Sequence, residues 1–132
     1  MKVSFDFDDT LEHKYIQDYA IELLDRGIEV HIVTTRYEDV TKYKGYSHNY
    51  KTYDTLHKQL FEVAEVLGIP KENIHFTNMD WKYTFFKNNL DFKWHLDDNA
   101  KECNLLNRHT SVIGICHDGS STWKNKCEKL LK

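Results

Sequence analysis

The sequence predicts a three-layer α/β fold in which a parallel five-stranded sheet carries helices on both faces. Short apolar, often β-branched runs alternate along the chain with stretches whose apolar residues recur at helical spacing. This alternation is typical of sheets built from strand–helix–strand units. The chain has 132 residues, one proline and no linker or internal repeat. Residues 1–132 are therefore expected to form one domain.

Five runs have the character of strands. The first, KVSFDF, is largely apolar before its aspartates, and the second, EVHIVTT, is rich in the β-branched residues that favour strands. NIHFTN, FKWHLDD and SVIGIC are shorter apolar runs. The predicted strands cover residues 2–7, 29–35, 73–78, 92–98 and 111–116.

Helical spacing marks the segments that follow these strands. The first segment ends before Gly27, which stands where a helix C-terminal cap belongs, and the second ends at the tripeptide GIP. Residues 36–53 lack such spacing and are predicted to be a loop. The predicted helices cover residues 16–24, 56–67, 83–90, 99–108 and 121–132.

Composition excludes several classes of partner. The formal net charge is −3, from 18 basic and 21 acidic residues, so nucleic acid is expected only as a substrate. No apolar run approaches the roughly 20 residues that span a membrane. Acidic residues interrupt the first apolar run, so no signal peptide is expected. The cysteines, Cys103, Cys116 and Cys127, form no CxxC pair, which predicts reduced thiols and a cytoplasmic location.

Polar residues follow four of the five predicted strands. In parallel α/β sheets, ligands bind at the carboxyl ends of the strands near the switch in strand order. One crevice is therefore expected to collect carboxylates, hydroxyls and a lysine. The residues are Asp6, Asp8 and Thr10 after the first strand, Thr34, Thr35 and Arg36 at the second, Asn78 and Lys82 after the third, and Asp97 and Asp98 at the fourth.

The charges in this crevice call for a cation. Asp6, Asp8, Asp97 and Asp98 contribute a charge of −4, and a divalent metal together with Lys82 would offset it by +3. Hard oxygen ligands suit Mg²⁺, which also binds substrate phosphate directly. A nucleophilic aspartate can form an aspartyl-phosphate, and the metal and lysine can neutralise charge on the transferring group.

Four features stand in the order typical of the haloacid dehalogenase superfamily, and of its phosphatases in particular. The first strand leads into DxDxT, matched by residues 6–10, and the second strand, VHIVTT, ends in threonine. Lys82 precedes a helix, and HLDD closes the fourth strand with an acidic pair. The chain resembles this superfamily over nearly its whole length, which implies a Rossmann-like sheet. Asp9 departs from the pattern, because the family often has glycine there.

The resemblance implies catalytic roles for four residues. Asp6 would attack phosphorus and bind Mg²⁺. Asp8 would protonate the leaving group and then deprotonate the hydrolytic water, with its backbone carbonyl on the metal. Thr34 would hold the phosphoryl group, with Thr35 as the less favoured alternative for that role, and Lys82 would steady Asp6 and the phosphate. Retention of Asp8 favours a phosphatase over a dehalogenase.

The resemblance also implies a metal site and a substrate surface. Asp98 is expected to be the direct metal ligand, with Asp97 beside it or acting through water. Thr10, Thr35 and Arg36 are expected to be next to the substrate. About two dozen residues separate the first two motifs, which leaves no room for a cap domain. A capless, open site suits a large phosphorylated substrate such as a polynucleotide end or a phosphoprotein. A neighbouring subunit could instead close the site over a small substrate such as a nucleotide, and the sequence does not decide between them.

Other interpretations of these residues remain open at this stage. The chain could be a catalytically silent module that binds Mg²⁺ and a phosphorylated partner. A response-regulator receiver domain fits less well, because the third strand ends in HFTN without a phospho-acceptor aspartate. Asp97 and Asp98 could cap a helix, and Arg36 could contact substrate or only border the site.

Two further groups of residues have both an ordinary and a functional interpretation. Loop 36–53 contains five of the eight tyrosines, which could stack on bases but are expected to pack on the domain. His31, His75 and His95 lie near the ends of three different strands. They could bind zinc but are expected to be core histidines with satisfied partners.

Overall fold

A computed structural model describes residues 1–43 and 55–132, and within them the chain forms the predicted α/β architecture. The five strands of the sheet are all parallel and run in the order β3-β2-β1-β4-β5. The first strand is therefore central, and the order switches between β1 and β4. The strands are β1 (Lys2–Phe5), β2 (Glu29–Thr34), β3 (Ile74–Phe76), β4 (Phe92–Asp97) and β5 (Ile113–Cys116).

Each strand is shorter than predicted. Strands β1 to β4 end early, where polar residues leave the sheet, whereas β5 begins two residues late and ends at Cys116 as predicted. After β1, the Asp6 amide still bonds the Leu96 carbonyl at 2.9 Å. The chain then leaves the sheet through a kinked turn, Phe7–Leu11, in which Asp8 and Asp9 have non-helical backbone angles. Acidic and hydroxyl side chains favour such turns over continued strand pairing. Asp6, Asp8 and Asp9 thus lie beyond the end of β1, whereas Asp97 is the last residue of β4.

Five helices follow the strands within the described ranges. They are α1 (Lys14–Asp25), α2 (Lys58–Leu67), α3 (Tyr83–Phe86), α4 (Ala100–His109) and α5 (Thr122–Lys129). The predicted cap at Gly27 has a left-handed φ of 78°, and Gly68 ends α2 with a φ of 86°. The predicted third helix is only one turn long, because Leu90 is exposed and gives its end no core contact.

The helices cover the sheet with two separate apolar clusters. The larger joins α1, α2 and α5 to side chains such as Val3, Phe5 and Trp94 on one face. The smaller joins α3 and α4 to Val33 and Phe92 on the other. Each fully buried large side chain contributes roughly 1.5–3 kcal/mol. Strands β1 and β4, which carry the acidic residues, are therefore fixed from both sides.

The predicted loop 36–53 lies partly outside the described residues. Its described part contains a short 3₁₀ turn, Val40–Tyr43. Tyr37 and Tyr43 pack edge to face with ring centroids 5.2 Å apart, a contact within the loop that does not test whether its tyrosines pack on the domain. Tyr46, Tyr50 and Tyr53 fall outside the described ranges. None of the helices in those ranges is long and apolar enough to span a bilayer.

Candidate functional site

A polar crevice of about 160 Å³ opens at the carboxyl ends of the strands, next to the switch in strand order between β1 and β4. Four turns contribute to it: those after β1, β2 and β4, and the one that leads into α3. The crevice is lined by Asp6, Asp8, Asp9, Thr35, Lys82, Asp97, Asp98, Asn99 and Glu102. Its volume suits a phosphoryl group with a metal ion rather than a whole nucleotide.

Lys82 connects the acidic residues of β1 and β4. Its Nζ lies 2.8 Å from Asp6 Oδ1 and 2.5 Å from Asp97 Oδ2, and all three side chains are buried. Burial alone would lower the pKa of Lys82, but the two carboxylates outweigh it and raise the pKa well above its usual value. Lys82 is therefore a permanently charged ammonium group at the floor of the crevice.

The two carboxylates that share Lys82 differ in their acidity. Burial, together with the negative charge of Asp97, raises the pKa of Asp6 well above its ordinary value despite Lys82. Burial also opposes ionisation of Asp97, yet the hydrogen bond from His95 and the charge of Lys82 lower its pKa. Lys82 and His95 together favour the ionised form of Asp97. For Asp6, the charge of Lys82 does not offset the effect of burial, so the protonated form is favoured.

A third carboxylate completes an acidic cluster. One oxygen each from Asp6, Asp97 and Asp98 lies within 4.8 Å of the other two. With Lys82, the three carboxylates carry a formal charge of −2, which one divalent cation would neutralise. Hard oxygen donors at this spacing fit Mg²⁺ chemically. The raised pKa of Asp6 marks the position where added positive charge would act.

Asp97 and Asp98 face different surroundings. Both oxygens of Asp97 are occupied, Oδ2 by Lys82 and His95 and Oδ1 by the Asn99 amide at 3.0 Å. Asp98 is exposed and lines the crevice. The surroundings favour Asp98 as the more available ligand. The helix-cap alternative is wrong for both residues, because the α4 cap is Asn99, which accepts the Lys101 and Glu102 amides.

His95 supports Asp97 from behind. Its Nε2 lies 2.8 Å from Asp97 Oδ2, and its Nδ1 lies 2.8 Å from Ser4 Oγ. Burial lowers the pKa of His95, so the neutral ring donates to Asp97 and accepts from Ser4. The expectation of a core histidine with satisfied partners is confirmed. Residues two apart on a strand share a face, so a contact between His95 and Asp97 could have been predicted from their spacing on the fourth strand.

Of the two threonines at the end of β2, Thr35 lies at the crevice as predicted, whereas Thr34 does not. Thr34 has no exposed surface, and its Oγ1 accepts the Arg36 amide at 3.3 Å. Thr35 instead lines the crevice with Asp6 and Lys82. The geometry does not favour Thr34 as the residue that holds a phosphoryl group, because its hydroxyl is sealed beneath the turn. Thr35 is the hydroxyl residue that faces the crevice.

Arg36 binds Asp8 directly. Its Nη2 and Nε donate to the two Asp8 oxygens at 2.6 and 3.0 Å, and its Nη1 donates to the Leu56 carbonyl at 2.8 Å. The guanidinium also lies over the Phe7 ring, 5.2 Å from its centroid. A two-point pair of this kind fixes orientation as well as charge. Arg36 therefore borders the site by holding the side chain expected to act as acid and base.

Asp9 adopts an unusual backbone conformation. Its φ of 57° lies in the left-handed region, where glycine is most easily accommodated and aspartate is better tolerated than most residues. Its amide donates to Glu12 Oε1 at 2.5 Å. This geometry explains why glycine would suit the position. Nothing in the structure explains why an acid is present instead.

Three residues of the site neighbourhood were not predicted. Glu102 is buried, accepts the Lys82 amide at 3.2 Å and has a pKa raised by burial. Asn99 lines the crevice beside it. His117 follows β5, and its Nε2 lies 2.9 Å from Thr10 Oγ1. The rule that sites lie at carboxyl strand ends, applied to the fifth strand, could have found His117.

Some predicted residues lie elsewhere. Thr10 is fully buried, with its Oγ1 3.3 Å from Asp6 Oδ2, so it supports Asp6 rather than facing the crevice. Asn78 turns toward the loop after β2 and accepts the Glu38 amide at 3.0 Å.

His31 and His75 stack on each other away from the acidic cluster. Their Nδ1 and Nε2 atoms lie 2.9 Å apart, and His31 Nε2 also lies 2.5 Å from Glu29 Oε2. His31 is buried and both of its ring nitrogens have partners, which confirms the expectation of a core histidine with satisfied partners for His31. His75 is only half-buried, so it is not a core residue.

Comparison of the chain with protein-family models, with curated proteins and with solved structures returns no match.

Proposed function

We propose that this protein is a Mg²⁺-dependent phosphomonoesterase that works through an aspartyl-phosphate on Asp6. The observation that carries the proposal is the buried bridge from Lys82 to Asp6 and Asp97, with Asp98 completing a three-carboxylate cluster. An excess of buried negative charge beside a fixed ammonium group is what a site for a metal ion and a phosphate needs.

The residues divide the chemistry in the proposed reaction. A carboxylate oxygen of Asp6 attacks phosphorus, and the phosphorus–oxygen bond to the leaving group breaks. Asp8 gives its proton to the departing oxygen and then takes one from the water that attacks the aspartyl-phosphate. Inorganic phosphate leaves and Asp6 returns as a carboxylate. Thr35 replaces Thr34 as the hydroxyl that holds the phosphoryl group.

The metal would be held by Asp6, Asp98 and the backbone carbonyl of Asp8, with Asp97 adjacent. When bound, Mg²⁺ supplies positive charge to the transferring phosphoryl group. Lys82 supplies a second positive charge and orients Asp6. The orientation of Lys82 is fixed in advance by Asp97, so Lys82 itself need not move when phosphate enters.

We further propose that the chain is a capless, cytoplasmic member of the haloacid dehalogenase superfamily. The four sequence motifs support it, together with the parallel sheet and the meeting of their residues at one crevice. A small, open crevice recognises the phosphoryl group and leaves the remainder of the substrate outside. A nucleotide, a polynucleotide end or a phosphoprotein would each meet that condition.

Hydrolysis of a generic aryl phosphate tests the proposal. Purified protein with Mg²⁺ should release phosphate, and Asp6→Asn should abolish the release. Asp25→Asn is the matched control, because Asp25 is an exposed carboxylate at the end of α1, and it should retain full activity. Equal rates for wild type and Asp6→Asn would refute the proposal.

One observation favours a second candidate, a catalytically silent module that binds Mg²⁺ and a phosphorylated partner. Arg36 occupies both oxygens of Asp8, and a carboxylate held in this way is poorly placed to protonate a leaving group. The enzyme requires Arg36 to release Asp8 when substrate binds. Tight beryllofluoride binding without turnover of nucleotide, sugar, polynucleotide or protein phosphates would favour the module.

A further inference from the structure

A hydrogen-bonded chain reaches Asp6 from the side opposite Lys82. His117 Nε2 lies 2.9 Å from Thr10 Oγ1, which in turn lies 3.3 Å from Asp6 Oδ2. All three side chains are buried. Lys82 contacts the other Asp6 oxygen, Oδ1. Asp6 is thus contacted at both oxygens, by residues that come from different parts of the chain.

Thr10 has a single hydroxyl proton, which can be donated either to Asp6 or to His117 but not to both. The direction of this proton decides whether the hydrogen-bonded chain holds Asp6. If His117 Nε2 carries hydrogen, it donates to Thr10, and Thr10 donates to Asp6. If Nε2 is bare, it competes with Asp6 for the Thr10 proton. Asp6 must be ionised to attack phosphorus, and in that state it is a stronger acceptor than a neutral ring nitrogen. The Thr10 proton is therefore drawn to Asp6, and a hydrogen on Nε2 completes the chain.

The surroundings of His117 restrict its ring to one proton. Burial lowers its pKa, although Asp98, Asp97 and the Asp9 backbone oppose the change. The ring is therefore neutral near pH 7, with a hydrogen on Nε2 or on Nδ1. The Thr10 hydroxyl and the Asp9 backbone compete for that proton. The contact to Asp6 at 3.3 Å is longer than an ordinary O–H···O bond, so Asp6 is held only if Thr10 points toward it.

We propose that His117 is a positioning residue for Asp6. Its Nε2–H donates to Thr10 Oγ1 and directs the Thr10 proton onto Asp6 Oδ2. This orients the carboxylate between Thr10 and Lys82 for attack on phosphorus. The catalytic consequence rests on the proposed phosphatase function, whereas the hydrogen-bonded chain does not.

The tautomer of His117 can be observed without any activity assay. Long-range proton–nitrogen correlation spectra of the full chain with Mg²⁺ distinguish hydrogen on Nε2 from hydrogen on Nδ1. The chain has eight histidines, so the signal of His117 is assigned by its loss in His117→Gln. Hydrogen on Nε2 is expected. Hydrogen on Nδ1 alone would overturn the proposal even if the protein is an active phosphatase.

Three substitutions separate positioning from a structural role. In His117→Gln, the side-chain NH2 group lies about where Nε2 lies and can donate to Thr10. The side chain of Asn is one methylene shorter, so its NH2 group does not reach that position, and Leu has no donor. His117→Leu and His117→Asn should lower kcat about tenfold with little change in KM, while His117→Gln recovers most of it. A purely structural role predicts instead that kcat follows the thermal midpoint in all three variants, and that result would overturn the proposal.

A double-mutant cycle tests the route through Thr10. Thr10→Val keeps the shape but removes the hydroxyl, so adding His117→Leu should cost nothing further. Additive losses would show that His117 acts by another route, which would overturn the proposal. If wild type shows no turnover that depends on Asp6, the proposed phosphatase function and the positioning role both fall. The tautomer measurement then still tests whether His117 donates to Thr10, but it says nothing about catalysis.

Discussion

Replacement of Lys82 by methionine should destabilise the protein strongly. Lys82 makes two buried ionic contacts, at 2.8 Å to Asp6 and 2.5 Å to Asp97. At an effective dielectric of about 20, a pair at this distance attracts by roughly 6 kcal/mol, much of which desolvation offsets. Removing one partner leaves both carboxylates buried and unpaired, a change that typically costs ~3–5 kcal/mol.

Urea unfolding in EDTA measures this loss as a change in the free energy of unfolding. The thermal midpoint should also fall by more than about 10 °C. If Lys82→Met does not fold, the double variant Lys82→Met/Asp6→Asn carries the test. It removes one of the two stranded charges and should recover part of the stability. Adding Mg²⁺ to the single variant should do the same.

The control is Lys14→Met, which breaks an ion pair of the same length on the surface. Lys14 and Asp18 also lie 2.5 Å apart, but their side chains are 80% and 53% exposed. Solvent screens such a pair, so the expected loss is no more than about 0.5 kcal/mol. Equal losses in the two variants, or a loss below about 1 kcal/mol for Lys82→Met, would refute the reasoning from burial.

Three further outcomes are expected. First, burial raises the pKa of Asp6 in the metal-free protein, so a proton competes with Mg²⁺ for this carboxylate. Calorimetry should therefore show that the affinity for Mg²⁺ increases as the pH is raised from about 5 to about 8. An affinity independent of pH would contradict this. Second, Asp9→Gly should retain stability or gain up to about 1 kcal/mol, whereas Asp9→Val should lose ~1–2 kcal/mol at the left-handed φ. Equal unfolding free energies would count against that strain. Third, Gly114→Ala should lose roughly 1–3 kcal/mol in thermal unfolding, because its Cβ would lie 2.8 Å from the Cys103 backbone; an unchanged midpoint would show that the backbone yields.

The sheet and most of the acidic cluster could be predicted from sequence because both follow from periodicity. Alternating strand and helix patterns fix a parallel sheet, and such a sheet brings the carboxyl ends of its strands to one edge. Asp6, Lys82, Asp97 and Asp98 meet there for that reason. No knowledge of side-chain packing was needed to place them together.

Finer choices depended on contacts between loops, which local pattern does not encode. The Thr34 carbonyl accepts the Thr77 amide at 2.8 Å, which keeps Thr34 paired with the chain after β3 and its side chain buried. The next carbonyl, that of Thr35, accepts the Met79 amide. The Arg36–Asp8 pair joins two turns whose conformations depend on each other. His117 is 107 residues from its partner Thr10. Sequence spacing carries no signal for such pairs.

The contacts that build the site also determine when it can form. The bonds from Lys82 to Asp6, from His95 to Ser4 and from His117 to Thr10 close separations of 76, 91 and 107 residues. During synthesis, β1 can pair with β2 early, but its other edge stays open until β4 has been made. A chain that stops before β4 would therefore expose that edge of its central strand, and it would contain Lys82 without the Asp97 carboxylate that orients it. Closure of the long loops is the slow step such topologies impose, so the crevice should be among the last parts of the molecule to assemble.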